Sequence, residues 1–486
     1  MPLCPPLGAT VPASPHGTVV CLPTLADVEG YERREPATWR HITAGYPRFV
    51  RNALVSQAAQ QAAQQLQRTG SLFPLASRRA ADRILAWTRV TNAHVDVVGD
   101  WVLVSFPEGP ASEPFAKFVQ HTGALISSRQ AEAYLAGRPA EAAAALLALE
   151  RIRAVLAPYL APVRPADILV TLAGMNAVAA GIAAVNAVQR PRGKHVWIQL
   201  GWLYVDSTRL FEKATDTRHE FVADVADLAT VERLLAQGDV AGVFTEIPNN
   251  PQLETADVLA LRQLCDQYGA KLVLDPSSVG LASVDVLPHA DVVCSSLTKY
   301  AASGGDVMAG VLAINPGRPD AEALLRSARA FVDAPHASDA LVLAQHIEKM
   351  ATVTARLSAQ ATVLAQRLAQ HPSVSRVRTA LTTATARNYQ AMLRPGAGAG
   401  ALITLELKAD LRTVYDRLQV VKGPSFGLEF TLATPFLWLA HFSEVTTPEG
   451  RAGLRRAGLD PDLLRVSVGL EPIEDVWAAF EHALKK

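Results

Sequence analysis

The run Ser295-Ser296-Leu297-Thr298-Lys299-Tyr300, with the turn Gly304-Gly305-Asp306 behind it, sets a lysine amine among hydroxyls. At the end of a strand such an amine can form an imine with an aldehyde cofactor. The hydroxyls of Ser296 and Thr298 could hold a phosphate tethered to the same molecule. Alone, the cluster is no more than a lysine after a polar turn. Three upstream segments give it weight. Lys271-Leu272-Val273-Leu274-Asp275 reads as an apolar strand that carries one carboxylate to its end. There it could pair with a protonated pyridine nitrogen and keep the ring electron-withdrawing; an Asp that only caps the turn begun by Pro276 is the alternative. Leu172-Ala173-Gly174-Met175-Asn176 reads as a strand-to-helix turn whose N–H groups and helix dipole suit a phosphate. Trp202-Leu203-Tyr204-Val205-Asp206-Ser207 offers Tyr204 as an aromatic to stack on a flat heterocycle, against the alternative of core packing.

These segments need strand ends, and the chain supplies them. Short apolar runs at 168–172, 195–200, 240–245, 271–274, 291–294 and 307–314 alternate with helical patterns, the rhythm of a mostly parallel sheet covered by helices on both faces. One such helix carries Val258, Leu261, Leu264, Cys265 and Tyr268 on its apolar face and stops at Gly269. Ligands of such sheets sit beyond the carboxyl ends of the strands, where the order of phosphate turn, aromatic, Asp and Lys falls. Residues 1–55 read as an irregular, proline-broken arm, and 56–67 as a Gln/Ala-rich helix with a solvated face. Trp101–Phe106 alternates as a strand, and Glu141–Leu156 has helical spacing. Ser338–Gln370 reads as one long helix capped by Ser338, Ala401–Leu407 and Leu464–Val468 as strands, and Glu474–Lys485 as the last helix. The expected division is an arm with an inserted region (1–160), a large cofactor domain (161–315) and a smaller C-terminal α/β domain (316–486).

At 486 residues, 49% hydrophobic and 19% charged, the chain has room for more than one core. Lys plus Arg equals Asp plus Glu at 46 each, so no net field draws it to nucleic acid or an anionic membrane. Cys4, Cys21, Cys265 and Cys294 form no CxxC pair, and the twelve histidines show no metal-ligand spacing, so no metal is expected. The opening segment lacks a basic stretch and does not read as a secretory leader, nor does any apolar run suffice to span a bilayer. A cytoplasmic enzyme acting on small molecules is the expectation.

The ordered segments resemble the Cys/Met-metabolism family of pyridoxal-phosphate (PLP) enzymes of fold type I. Glu246-Ile247-Pro248-Asn249-Asn250-Pro251 is similar to the family's E-T-P-S-N-P, Ser296-Leu297-Thr298-Lys299 to its S-A-T-K, and 464–471 to its R-x-S-V-G-L-E. The fungal-type cystathionine γ-synthase branch is resembled further at Leu22-Pro23-Thr24, 45–49, His121-Thr122-Gly123, 126–129, 204–207, 286–288, 306–308 and Gly423-Pro424-Ser425-Phe426-Gly427. The resemblance implies PLP as cofactor, Lys299 as its Schiff-base lysine, Asp275 as the ring-nitrogen partner, and Tyr204 stacked on the ring. Gly174, Met175, Ser296 and Thr298 would bind the phosphate, and Asn250 would lie near the ring hydroxyl or the substrate carboxylate. It implies further that Tyr46 and Arg48 reach the phosphate from a neighbouring subunit, in a homodimer or homotetramer with shared sites. Arg129 is the alternative arginine, because a long insertion separates Arg48 from Gly174. Two departures, Asp275-Pro276-Ser277-Ser278 for D-N-T-F and Ala173 for the Ser before Gly-Met, bear on substrate choice.

A guanidinium forks onto a carboxylate with two parallel hydrogen bonds, so Arg465 is the expected grip on the substrate α-carboxylate, with Ser425 as a second candidate. Lys299 would take the Cα proton and then move further protons, so that a γ-substituent leaves. Addition of a thiol such as cysteine makes the enzyme a γ-synthase of the transsulfuration type, the leading expectation. Without a nucleophile it is a γ-lyase, including one that makes an unsaturated or alkyne amino acid from a halogenated one. A non-catalytic cofactor-binding relative is the alternative of another class.

Overall fold

The computed structural model describes residues 4–46, 49–138, 141–214 and 217–485. Its centre is a seven-stranded sheet. The strands are β1 (Leu169–Thr171), β2 (Val196–Leu200), β3 (Arg218–Val222), β4 (Val240–Glu246), β5 (Lys271–Asp275), β6 (Val292–Ser296) and β7 (Gly310–Ile314). Their spatial order is β1-β7-β6-β5-β4-β2-β3. Strands β6, β5, β4, β2 and β3 pair in parallel, and β7 runs antiparallel to both of its neighbours. The central strands are continuous apolar runs because helices cover both faces; every residue of β2, β4 and β5 is buried. Helix α1 (Gly174–Gln189) lies so close to β6 that a Cβ at Gly181 would come within 2.8 Å of the Cys294 sulfur. Cys294 and Cys265 are buried packing thiols.

Residues 53–138 build a separate layer. A three-stranded antiparallel sheet, ordered 71–75, 101–106, 94–98, packs one face on helices Arg78–Thr88 and Ser112–Thr122, the second of which lies on α1, and the other face on helix Ala53–Gln65. The glutamine-rich helix is therefore solvated on one side only. Ala58, Ala59, Ala62 and Ala63 are buried against Trp101 and Leu103, since alanine lets a helix approach a sheet closely. The arm is more regular than its prolines suggest: it carries a helix at Leu25–Glu32, and Val20, Leu22, Leu25, Val28 and Ile42 enter the core of the C-terminal domain.

That domain is built on a five-stranded sheet in the order 374–378, 402–407, 464–467, 432–434, 421–422. The expected long helix is two, Ala337–Ile347 and Met350–Ala369, and the first is capped by His336, which accepts from the Ser338 N–H, rather than by Ser338. Helices Ala321–Phe331 and Ala337–Ile347 pack on α1 and on helix Ala142–Leu156, so the segment just after residue 316 lies with the large domain.

Candidate active site

Lys299 stands three residues beyond the end of β6 and is only 7% exposed. Its Nζ donates to Ser425 Oγ at 3.0 Å and lies 4.6 Å from the Tyr46 ring centre and 4.8 Å from that of Phe426. On the neighbouring strand ends the parallel register sets Asp275 directly beside Glu246. Asp275 Oδ1 accepts from the Ser277 N–H at 2.8 Å and from its hydroxyl, while Glu246 Oε1 accepts from the Tyr204 N–H at 2.5 Å. Burial pushes the Asp275 carboxyl up to about 6 against the pull of those Ser277 bonds. Burial raises Glu246 well above the usual range, reinforced by the charge of Asp275.

A pH dependence follows. Because the folded value of Asp275 lies above its ordinary 3.8, its contribution to stability is fully present below about pH 4 and is lost as pH rises through about 6. A cation placed against the carboxylate reverses that loss. The expected result is a stabilising effect of cofactor on the melting temperature that grows as pH rises through about 6, and that becomes flat in Asp275→Asn. A pH-independent effect in the unmodified protein would contradict the pairing.

Three features suit a phosphate. The first turn of α1 begins after Ala173 with no side-chain cap, which leaves its orphan N–H groups for an anion. A Cβ at Gly174 would stand 2.8 Å from the Ser296 Cβ, so only glycine lets the turn approach β6 this closely. The Ser296 hydroxyl is buried without a hydrogen-bond partner. These residues form one cavity of about 500 Å³ with Tyr46, Met175, Tyr204, Glu246, Asn250, Asp275 and Lys299. The donor set and the orphaned hydroxyl fit a phosphorylated pyridine aldehyde.

Not every expected residue is there. Thr298 exchanges hydrogen bonds of 3.2 Å with the backbone of Ala309 and does not line the cavity. Arg48 lies outside the described residues. Arg129 is held by Asp306 at 2.6 Å and lies 3.6 Å from Asp339, away from the cavity. Tyr46 lies against the Lys299 amine of the same chain. Glu246, Ser277 and Ser207 line the same space without having been assigned a part; a second carboxylate at a strand end, read as Asp275 was, is the signal that would have found Glu246.

A second cavity of about 530 Å³ shares Tyr46, Tyr204, Lys299 and Phe426 with the first. Arg465 projects from its strand at 4% exposure, donates to the Ser425 carbonyl at 2.9 Å, and lies 3.4 Å from Asn250 Oδ1. Its guanidinium faces Phe436 at 4.8 Å and Phe426 at 5.4 Å. Burial lowers it to about 10, so it stays charged at neutral pH. Among the described residues no carboxylate lies within ion-pair distance of it, which suits it to a carboxylate brought by a ligand.

The family model for Cys/Met metabolism PLP-dependent enzymes matches residues 164–485. The chain belongs to this family. It is a PLP-dependent enzyme of the γ-synthase and γ-lyase kind with the family's α/β fold. An L-2-amino-4-chloropent-4-enoate dechlorinase/desaturase of Streptantibioticus cattleyicolor is 40% identical over 97% of both chains, and so also matches through the inserted layer. The cystathionine γ-synthase of Neurospora crassa is 31% identical over 67% of this chain and 53% of its own. A cystathionine γ-synthase of Xanthomonas oryzae in complex with aminoacrylate and cysteine shares the fold, with a TM-score of 0.57 at 24% identity over 65% of this chain and 80% of that one. No helix among the described residues is long and apolar enough to cross a membrane.

Proposed function

We propose that this enzyme eliminates a γ-substituent, a halide in particular, from an α-amino acid to leave an unsaturated amino acid. The lining of the substrate-side cavity carries the proposal. Beside Lys299, Arg465 and the hydroxyl-bearing Tyr46, Tyr204, Ser425 and Thr434 it presents Phe49, Val205, Pro424, Phe426, Phe436, Leu439 and Ala440, a mostly apolar wall that suits one carboxylate and a largely apolar or halogenated chain. An acyl group ending in a second carboxylate, or the charged ends of an incoming cysteine, finds no further cation among these residues. Likeness to the dechlorinase/desaturase across 97% of both chains supports the same reading. Replacement by a thiol, the leading expectation from the motifs, is the second reading, favoured by the cystathionine γ-synthase relatives.

When bound, PLP supplies an electron-withdrawing ring conjugated to the substrate Cα. Within this reading Arg465 clamps the α-carboxylate and Asn250 steadies the guanidinium. The Lys299 amine, held at 3.0 Å by the Ser425 hydroxyl, takes the Cα proton and returns protons further along the chain. Asp275 would pair with the nitrogen of the ring, Glu246 fixes the start of the tyrosine segment, and the apolar part of the wall would exclude water from the departing group. The reading places a homodimer or homotetramer in the cytoplasm. Incubation of the PLP-loaded enzyme with a γ-chlorinated amino acid, and separately with O-acyl-homoserine with and without cysteine, tests it. Chloride and an unsaturated amino acid are expected, and thioether formation from the ester as the faster reaction would establish replacement instead.

A further inference from the structure

The layer formed by residues 53–138 ends in two contacts that converge on the cofactor cavity. Helix Ser112–Thr122 closes with Gln120 and His121, both bonded to one carboxylate. His121 Nδ1 lies 3.3 Å from Asp206 Oδ1 and Gln120 Nε2 donates to the same oxygen at 3.0 Å. His121 and Asp206 are both buried, and the other ring nitrogen of His121 is buried without a partner. Asp206 belongs to the first turn of α2 (Val205–Arg209), whose N-cap is Tyr204. The carboxylate therefore stands two residues from the ring that closes the cavity, and Ser207 beyond it reaches the Met175 sulfur at 3.6 Å. One residue after the pair's helix ends, Gly123 turns with φ of 61°, and a Cβ there would stand 3.1 Å from the Asn176 nitrogen and 3.3 Å from the Ala173 Cβ.

We propose that the inserted layer is a positioning device for the cofactor site. His121 and Gln120 pin Asp206 and thereby the tilt of Tyr204, while Gly123 backs the phosphate turn that opens α1. Two donors on one carboxylate oxygen suit this work better than an exposed ion pair, since His121 and Asp206 are removed from water and a lost donor leaves a buried acceptor to shift in search of another. The proposal rests on the PLP site described above but not on the identity of the leaving group.

The test uses purified enzyme titrated with PLP, following the dissociation constant and the visible circular-dichroism band of the bound cofactor, which reports its orientation. His121→Ala is expected to weaken PLP binding about tenfold and to change the band. His121→Asn, whose amide N–H replaces the Nδ1 donor, restores most of both, and Gln120→Ala gives a smaller change in the same direction. Glu113→Ala, exposed on the same helix, leaves them unaltered. A His121→Ala protein that melts earlier yet binds PLP with unchanged affinity and dichroism would overturn the proposal, as would failure of the Asn variant to restore either signal. If His121→Ala does not fold, Gln120→Ala and His121→Asn decide it by the same two signals. Failure of the unmodified enzyme to bind PLP would instead overturn the cofactor reading, and thioether rather than halide chemistry would leave this inference standing.

Discussion

Lys299→Ala is expected to lower turnover by more than about a thousandfold while the protein stays folded. The amine donates to the Ser425 hydroxyl and sits over the rings of Tyr46 and Phe426, all of which alanine leaves in place. What is lost is the one primary amine among the described residues that line the cavity, a group that can both form an imine with an aldehyde and carry protons afterward. The visible absorption of the bound cofactor should shift or vanish, and the melting temperature should move far less than the rate falls. A small primary amine added to the solution should return part of the turnover, because the cavity left behind is bordered by the same rings. Turnover within about tenfold of the unmodified enzyme would show that another group moves the protons.

The parts of the site that could be read in advance are those where one residue does its work at a strand end. Asp275 ends an apolar run and Lys299 follows a strand that opens as one, Val292-Val293-Cys294, and such runs are conspicuous because a doubly covered sheet leaves no polar alternation. The edge strand β3, Arg-His-Glu-Phe-Val, escaped for the opposite reason: half-exposed at the sheet's margin, it needs no apolar run. The arm escaped because its apolar residues pack against strands some four hundred positions away, so no local period announces them. Helix Ala53–Gln65 looked solvated because its buried face is alanine, whose small side chains contribute close approach rather than hydrophobic weight.

The pairs were harder than the single residues. Glu246 beside Asp275 depends on the register between two strands, and His121 on Asp206 joins positions 85 apart, neither of which any spacing reveals. Thr298 illustrates the converse. Its place in the motif suggested a phosphate ligand, but the backbone of Ala309 comes within reach first and takes the hydroxyl. Tyr46 reaches the cavity of its own chain because its arm is anchored in the C-terminal domain, a long-range packing that no local period announces.

Arg465 sets the second large expected effect. Its charge is buried between Phe426 and Phe436, steadied by the Ser425 carbonyl and Asn250, and burial already lowers it to about 10. Such a group is costly to keep in a cavity without an anion, and that cost is recovered when the substrate carboxylate arrives. Removing it should therefore weaken substrate far more than it disturbs the fold. Arg465→Ala is expected to lower kcat/KM by about 30-fold to a few thousandfold, largely through KM. Arg465→Lys should recover only part of this, because an ammonium is a point donor that cannot fork onto both oxygens and whose own charge the same burial would suppress. The decisive comparison uses an amine that lacks the α-carboxylate. For it the unmodified enzyme and Arg465→Ala should turn over at similar, low rates, since there is nothing for the fork to hold. If the variant loses as much activity on that amine as on the amino acid, the arginine acts through the shape of the Ser425 and Phe426 loop and not through the carboxylate.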